Sequence, residues 1–285
     1  MSSQTNPLHA VLRSISRILP LGLGAGFAPR LRACCIRLLY PRNRVRVDDM
    51  TIVFHSPNEY IAQQCIHHGG YEKELIGFLC SQIKPGDTVL DVGANIGLHT
   101  LKLSRAVGEE GRVLAFEPDP ANVRLLRKNL ELNRCTNVEV FPFALGATAG
   151  LAKLYLCREN KGWQSFANLS DSTQSIEVEV KRIDEVLPKG LKPAFMKMDV
   201  EGAEPLVLEG MHPWPDQFVF EFVHRQVCAL GHNPLAFLQS FNSRGYELFR
   251  VDTGVPEAAT PEDIARTAEQ TGSDYNLLAR KAGFA

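Results

Sequence analysis

Residues 89–100 read VLDVGANIGLHT, a short apolar run that leads directly into two glycines four positions apart. An acidic residue, Asp91, stands just before the first of these glycines. Glycine adopts positive φ without strain and lets another backbone or a ligand approach closely. The stretch therefore predicts a tight strand-to-helix turn that holds something against the backbone.

Strand-like apolar runs alternate with helical patterns on both sides of this turn. The runs are continuously apolar, as expected for strands whose two faces are both covered by helices. We predict strands within 88–93, 112–119, 137–145, 194–202 and 218–223, helices over 71–83, 98–107 and 120–133, and a final strand pair at 245–252 and 275–281. This order predicts an α/β fold with a doubly wound, mostly parallel seven-stranded sheet.

The region between the third and fourth strands lacks a clear long helix. Two strand-like segments, 153–157 and 175–180, surround a polar loop that carries Trp163 and Phe166. We predict a β-rich insertion over 146–190, in which these two aromatic side chains either cover a sugar or flat ring or act as an ordinary core anchor of the insertion. Residues 1–69 are predicted to be a basic, partly helical extension, followed by the α/β domain over 70–285.

The first 47 residues differ in charge from the rest of the chain. They contain eight arginines and no acidic residue, whereas the whole chain has a formal charge of −1. Apolar residues within 8–19 recur at helical spacing, and a second basic-apolar run covers 30–40. We interpret this arm, residues 1–47, as a helical extension packed on the domain. Contact with an anionic membrane surface and organellar targeting are its alternatives.

The seven cysteines are scattered and lack CxxC spacing. This pattern favours reduced thiols in a cytoplasmic protein and gives no zinc site.

Comparison with known glycine-rich loops indicates which class of ligand the turn holds. A triphosphate loop needs GxxxxGK[ST], which is absent, and a dinucleotide fingerprint needs GxGxxG, which Asn95 interrupts. Glu117 ends the second strand 24 residues after Gly93, where a carboxylate accepts hydrogen bonds from ribose hydroxyls. Asp91 can orient the turn or approach a cationic amino group. These features favour S-adenosylmethionine, which has a ribose and an ammonium group but no phosphate.

Five blocks of the sequence, in this order, resemble the FkbM-type S-adenosylmethionine-dependent methyltransferases. The blocks are GYEKELIGFLCSQIKPGDTVLDVGANIGLHT, FEPDPANVRLLRKNLELN, ALGATAG, VKRIDEVL and KMDVEGAE, within about residues 70–223. The resemblance implies a class I, Rossmann-like methyltransferase fold and O-methylation of a hydroxyl on a sugar or natural product. It also implies that the methionine end of the donor is lined by Glu72, Asp91, Gly93, Asn95, Gly97 and His99. By the same resemblance, Glu117 and Pro118 meet the ribose, and Ala144 and Leu145 flank the adenine.

A hydroxyl acceptor must lose a proton during methyl transfer, so a base is expected near the carboxyl ends of the fourth and fifth strands. Asp199 is predicted as the central residue of this site. His224 is the first choice of base because its ordinary pKa lies near neutrality, and Glu221 is the second. Asp199 and Glu221 also suggest a magnesium alternative, but two hard ligands are few for Mg²⁺, and we predict no metal.

Other function classes remain as alternatives. The chain lacks a DPPY-like string and a Pro-Cys nucleophile, so it gives no clear sign of a nucleic-acid partner. RNA or protein methylation and a non-catalytic donor-binding module are the runner-up interpretations. The acceptor and the oligomeric state are not predicted by the sequence.

Overall fold

The computed structural model describes residue 40 and residues 43–57, 59–156, 164–167 and 174–284. The chain divides into two compact units, of which the first ends at Tyr71 and the second begins at Glu72. The predicted helical stripe within 8–19, the basic run 30–40 apart from Tyr40, and the predicted loop residue Trp163 lie outside the described residues.

The described part of the first unit begins with an antiparallel hairpin of β1 (Arg44–Val47) and β2 (Met50–Val53). A helix, α1 (Tyr60–His68), follows and ends at a glycine with φ of 69°. Val45 and Val47 are buried while their neighbours on β1 are exposed, which is the alternation of a strand with one covered face. The sequence analysis did not predict this hairpin.

The second unit is built from twelve strands and eight helices among the described residues. In chain order they are α2 (Lys73–Ser81), β3 (Thr88–Val92), α3 (Leu98–Val107), β4 (Arg112–Phe116), α4 (Pro120–Leu132), β5 (Val138–Phe141), β6 (Ala144–Leu145), β7 (Gly150–Leu156), β8 (Gln164–Ser165), β9 (Ser175–Lys181), α5 (Ile183–Val186), β10 (Phe195–Met198), α6 (Glu204–Glu209), β11 (Gln217–Phe222), α7 (His224–Ala229), α8 (Pro234–Ser243), β12 (Tyr246–Arg250), β13 (Glu257–Ala258), α9 (Pro261–Thr271) and β14 (Tyr275–Lys281). No helix in this described set has the length and apolar character needed to cross a bilayer.

The main sheet has eight strands in the order β13-β12-β14-β11-β10-β3-β4-β5. The five strands from β11 to β5 are parallel, and β14 joins β11 antiparallel. The order reverses beside β3, so the carboxyl ends of β3 and β10 meet where such folds bind their ligands. The predicted doubly wound α/β fold is confirmed, and the two-residue strand β13 adds an eighth strand at the edge.

Alternating residues of the central strands enter two separate apolar layers. Leu90 and Val92 of β3 pack in one layer, and Val89 packs in the other. On β11, Phe218 and Phe220 belong to the first layer, and Val219 belongs to the second. Both faces of the sheet are therefore covered, which is the physical reason why these strands read as continuous apolar runs.

The predicted strand over 137–145 is wrong as a single element. It is split into β5 in the main sheet and β6 in the insertion sheet, with Pro142 between them. Proline has no backbone N–H to give to a ladder, so the chain changes sheets at this residue. The insertion itself is a four-stranded sheet in the order β6-β9-β7-β8.

The polar connection between β12 and β14 contains a helix. The helix α9 runs for 11 residues, with Thr260 as its N-cap and Pro261 as its first residue. Its apolar positions, Ile264, Ala265 and Ala268, are buried on one face. These few small residues supply enough burial for a helix despite the polar composition of the segment.

Candidate active site

The glycine turn follows β3 and ties three strands together. The backbone N–H groups of Gly93 and Ala94 both donate to the carbonyl oxygen of Phe116 at the end of β4, at 3.0 and 2.9 Å. Gly93 has φ of 78°, and a Cβ placed there would lie 1.8 Å from the carbonyl oxygen of Asp199. Only glycine fits this position, because both the backbone angle and the approach of β10 exclude a side chain.

Glu117 lies at the end of β4 with only 4% of its surface exposed. Its Oε2 accepts a hydrogen bond from the Asn95 backbone N–H at 2.8 Å, and its Oε1 accepts one from the Asp119 N–H at 2.9 Å. Burial raises the pKa of Glu117 to about 7, against the opposing effect of these hydrogen bonds. The carboxylate is thus fixed between the glycine turn and the start of α4.

A pocket of about 590 Å³, including solvent at its mouth, opens between the glycine turn, α4 and the insertion sheet. It is lined by Val92, Gly93, Asn95, Phe116, Glu117, Pro118, Asn122, Phe143, Ala144, Leu145, Leu154, Gln164, Phe166, Asp199, Val200 and Glu201. The apolar side chains form one wall, and the carboxylate of Glu117 lies beside them. We call this space the donor pocket.

The chemistry of the lining residues fits S-adenosylmethionine. An apolar slot suits a flat base, and a buried carboxylate next to it suits the hydroxyls of the attached ribose. Among the described residues that line the donor pocket there is no Lys or Arg, which a pyrophosphate would require. The carboxylates of Asp199 and Glu201 suit a donor that carries positive charge.

We expect the Glu117→Gln variant to bind S-adenosylmethionine about 10- to 100-fold more weakly, because it loses charge-assisted hydrogen bonds to the ribose. Both carboxylate oxygens accept backbone N–H groups, so the amide NH₂ of glutamine must face one of these donors. This mismatch should lower the free energy of unfolding by about 1–3 kcal/mol. Isothermal titration calorimetry and thermal unfolding measure the two effects, with the exposed Glu110→Gln as control. Unchanged affinity would remove Glu117 from the donor site.

Lys197 connects the glycine turn to two carboxylates beneath the pocket. It is 4% exposed, and its Nζ donates to the carbonyl oxygen of Gly93 at 3.0 Å. The same Nζ lies 3.5 Å from Asp91 Oδ1 and 3.5 Å from Asp199 Oδ2. Burial by itself would lower the pKa of Lys197, but the charges of Asp199 and Asp91 raise it above its ordinary value. Lys197 is therefore a permanent cation under the pocket.

Asp91 is fully buried and supports the turn from within the domain. It lies directly across from Lys197 in the β3–β10 register, and its Oδ2 accepts a hydrogen bond from Thr100 Oγ1 at 2.6 Å. Of the two roles that the sequence left open for Asp91, these contacts favour orientation of the turn over contact with a cationic amino group.

Three carboxylates gather at the carboxyl ends of β10 and β11. Oxygens of Asp199, Glu201 and Glu221 all lie within 4.8 Å of one another. Burial, and then the charge of Asp199, raise the pKa of Glu221 well above its ordinary value. Mg²⁺ keeps several waters and is usually bound by only one or two carboxylates, so the number of carboxylates does not decide against a metal here. The predicted absence of a metal stays a prediction.

Seven of the residues predicted for the site line the donor pocket. They are Gly93, Asn95, Glu117, Pro118, Ala144, Leu145 and Asp199. The others, Glu72, Asp91, Gly97, His99, Glu221 and His224, are not among its described lining residues. Glu72 and His99 form a pair with each other at 3.1 Å, and Gly97 begins α3 with φ of 95°.

His224 is the first residue of α7, and the structure does not bring it to the donor pocket. Its Nδ1 lies 3.9 Å from Cys228 Sγ along the same helix, and its ring meets the edge of Phe222. The role of His224 as a base stays a prediction.

The structure adds residues that the sequence analysis did not assign to the site. Asn122 and Gln164 line the donor pocket, and Gln164 Nε2 donates to Asp119 Oδ2 at 2.6 Å. Glu201 lines it next to Asp199, and Lys197 anchors it from below. Glu201 and Lys197 belong to the KMDVEGAE block, which was the one signal that pointed to them. Phe166 lines the pocket and also packs against the small apolar core of the insertion, so the structure is consistent with both of its predicted roles.

Comparison with known proteins places these residues in a family. The methyltransferase FkbM domain matches residues 91–248. Methyltransferase 1 of Beauveria bassiana is 29% identical over 59% of this chain and 75% of its own length. The 31-O-demethyl-FK506 methyltransferase FkbM of Streptomyces tacrolimicus is 30% identical over 53% of this chain and 70% of its own length.

A third relative, the hexuronic acid methyltransferase AglP of Haloferax volcanii, is 29% identical over 49% of this chain and 56% of its own length. The family match covers more than half of this chain and includes the glycine turn, Glu117 and the carboxylates after β10. The chain therefore belongs to the FkbM family and is an S-adenosylmethionine-dependent methyltransferase.

Proposed function

We propose that this methyltransferase transfers the methyl group to a hydroxyl oxygen of a sugar or natural product. One observation carries the proposal: Asp199 and Glu201 line the same pocket as Glu117, the predicted ribose ligand. A hydroxyl is a weak nucleophile that must lose its proton as the new bond forms, and a carboxylate next to the donor can accept it.

Different residues of the site bind the donor and fix its geometry relative to the acceptor. The glycine turn and Glu117 hold the nucleoside part of S-adenosylmethionine, which supplies an activated methyl group when bound. Lys197 keeps Asp199 and the turn at a fixed distance from each other, so the acceptor meets the donor in one geometry. Phe166, on the insertion, also lines the pocket.

The names of two relatives support a small hydroxylated acceptor. One acts on 31-O-demethyl-FK506 and the other on a hexuronic acid. For this chain, the carboxylate of Asp199 in the pocket lining favours neutral acceptors over uronic acids, because like charges repel each other.

The same charge argument disfavours nucleic acid as the acceptor. Asp199, Glu201 and Glu221 lie together beside the pocket. The charge of Asp274 also acts on the carboxyl group of Glu201. A phosphate backbone requires positive charge where it binds, and no Lys or Arg is among the described residues that line the pocket.

A panel of acceptors tests the proposal. Methyl glycosides of neutral hexoses, methyl glycosides of hexuronic acids, O-demethylated macrolides, short RNAs and lysine peptides are each incubated with enzyme and S-adenosylmethionine. We expect S-adenosylhomocysteine and a methyl ether, found by mass spectrometry, with neutral hydroxylated compounds and not with RNA or peptides. The Glu117→Gln variant serves as the donor-deficient control. Methylation of only RNA or peptide would contradict the proposal.

A further inference from the structure

Glu201 occupies an unusual position in the turn between β10 and α6. Its φ is 54°, in the left-handed region that glutamate rarely adopts. Such a conformation persists only where the surroundings impose it, and it is concentrated at functional sites. The next residue, Gly202, has no room for a side chain, since a Cβ there would lie 2.5 Å from the Cβ of Gln226. The turn is thus forced to present Glu201 to the pocket.

Two contacts hold Glu201 in this place. Ser165 Oγ, on the insertion strand β8, donates to its carbonyl oxygen at 3.0 Å. Gln226 Nε2, on α7, donates to its Oε2 at 2.6 Å. The backbone and the carboxylate of Glu201 are therefore fixed by two different elements, and its side chain still lines the donor pocket.

The charges around Glu201 are almost all negative. Asp199 from β10, Glu204 from α6, Glu221 from β11 and Asp274 before β14 act on it, and Gln226 is its neutral neighbour. Lys197 acts on Asp199, Asp91, Glu72 and Glu221, but Glu201 is not among its partners. Glu201, like Glu204 and Asp274, is thus not compensated by the buried lysine, whereas Asp199 and Glu221 are.

Gln226 can form a hydrogen bond with Glu201 whether the Glu201 carboxyl group is charged or protonated. Its Nε2 donates to the carboxylate, whereas its Oε1 is buried and has no hydrogen-bond partner in the described structure. Rotation of the amide by half a turn would present this oxygen to a carboxylic acid O–H. A neutral glutamine is suited to a carboxyl group that gains and loses a proton.

We propose that Glu201 is the residue that takes the proton from the acceptor hydroxyl, and that donor binding prepares it by displacing the proton it holds beforehand. The first half of this proposal rests on the proposed O-methylation. The O–H bond of the acceptor breaks, and its proton passes to the Glu201 carboxylate. The oxygen forms a bond to the methyl carbon, the carbon–sulfur bond breaks, and its electron pair stays on sulfur in S-adenosylhomocysteine.

The second half of the proposal, that donor binding displaces a proton from Glu201, follows from the charges near that residue. Burial, and then the charge of Asp199, raise the pKa of Glu201 to about 8, so the donor-free enzyme holds a proton there at neutral pH. The positive sulfonium favours the carboxylate and lowers this pKa, so the proton leaves when the donor binds. Above the donor-free pKa the carboxylate is already charged, and binding releases nothing.

Isothermal titration calorimetry in two buffers of different ionisation enthalpy measures this proton directly. We expect binding of S-adenosylmethionine at about pH 7 to release about one proton per site, and binding at about pH 9.5 to release almost none. S-adenosylhomocysteine lacks the sulfonium charge and should release far less at either pH. A chelator is present throughout, so that no divalent cation takes part. This comparison uses the unmodified enzyme and requires no acceptor.

Two variants identify the residue that releases the proton when the donor binds. Glu201→Gln should bind the donor without releasing a proton, and the exposed Glu209→Gln, on α6, should behave as the unmodified enzyme. With a hydroxyl acceptor, Glu201→Gln should lower kcat about 10²- to 10⁴-fold, the range for loss of a general base. Thermal unfolding confirms that each variant is folded.

The outcomes separate this proposal from the proposed function. Equal release with both ligands, or release that persists in Glu201→Gln, would show that another group such as Glu221 titrates, and would overturn the proposal. Unchanged kcat in Glu201→Gln would do the same. If the proton is released as expected but no hydroxyl compound is methylated, the proposed O-methylation fails while donor-linked deprotonation of Glu201 stands.

Discussion

Replacement of Lys197 by methionine is expected to lower the free energy of unfolding by about 3–5 kcal/mol, the range for removal of one partner of a buried ion pair. The lysine is the cation between Asp91 and Asp199, and its Nζ also donates to the Gly93 carbonyl. Without it, a fully buried carboxylate at Asp91 keeps only the hydrogen bond from Thr100 among these contacts. Donor affinity should fall as well, since the glycine turn loses its link to β10.

Denaturant unfolding, followed by circular dichroism, measures this loss, and Lys192→Met is its matched control. Lys192 also pairs with an aspartate, Asp216, at 2.5 Å, but its side chain is 63% exposed. An exposed pair contributes about 0–1 kcal/mol, so the control should change little although its distance is shorter. Equal losses in the two variants would show that burial of Lys197 has no energetic consequence.

The Gly93→Ala variant is expected to abolish measurable donor binding and to destabilise the domain. The left-handed backbone angle of Gly93 costs alanine about 1–2 kcal/mol. Overpacking adds about 1–3 kcal/mol, because the new Cβ would lie 1.8 Å from the Asp199 carbonyl oxygen and must displace it. Asp199 and the turn would then separate at the point where the donor is held.

Calorimetric titration with S-adenosylmethionine and thermal unfolding test this variant against Gly77→Ala. Gly77 lies within α2 and has nothing within 4 Å of its Cβ position. Alanine in a helix interior is about 0.5–1 kcal/mol better than glycine, so the control should gain stability and keep its donor affinity. Normal binding by Gly93→Ala would show that the turn can move away from β10 without harm.

Local signals in the sequence predicted the elements around the donor pocket well. The helix α4 begins at residue 120 as predicted, because Asp119 caps it by accepting from the Ala121 N–H. The helix α3 covers the predicted range 98–107 and ends before Gly108. Caps and glycines act within a few residues, so a single sequence contains the information that fixes them.

Contacts between distant segments could not be read in this way. An apolar run such as 137–145 shows that its residues are buried but not in which sheet they pair, and the structure divides it between two. The link from Lys197 to Gly93 spans 104 residues and depends on the register of β3 and β10. Glu201 could be recognised from the sequence as part of the KMDVEGAE block. Its left-handed turn, however, comes from the packing of Gly202 against α7. These features exist only once the strands are aligned.

The position of strand β6 limits how the insertion can be exchanged in protein engineering. Ala144 and Leu145 line the donor pocket, yet β6 pairs with β9 and belongs to the insertion sheet. An exchange of residues 146–190 between relatives would therefore cut through a ladder that forms the wall of the pocket. A chimera that exchanges part of the insertion should therefore retain β6, β7 and β9, together with Gln164 and Ser165, which contact Asp119 and Glu201. The segment that can be exchanged is thus smaller than the insertion itself.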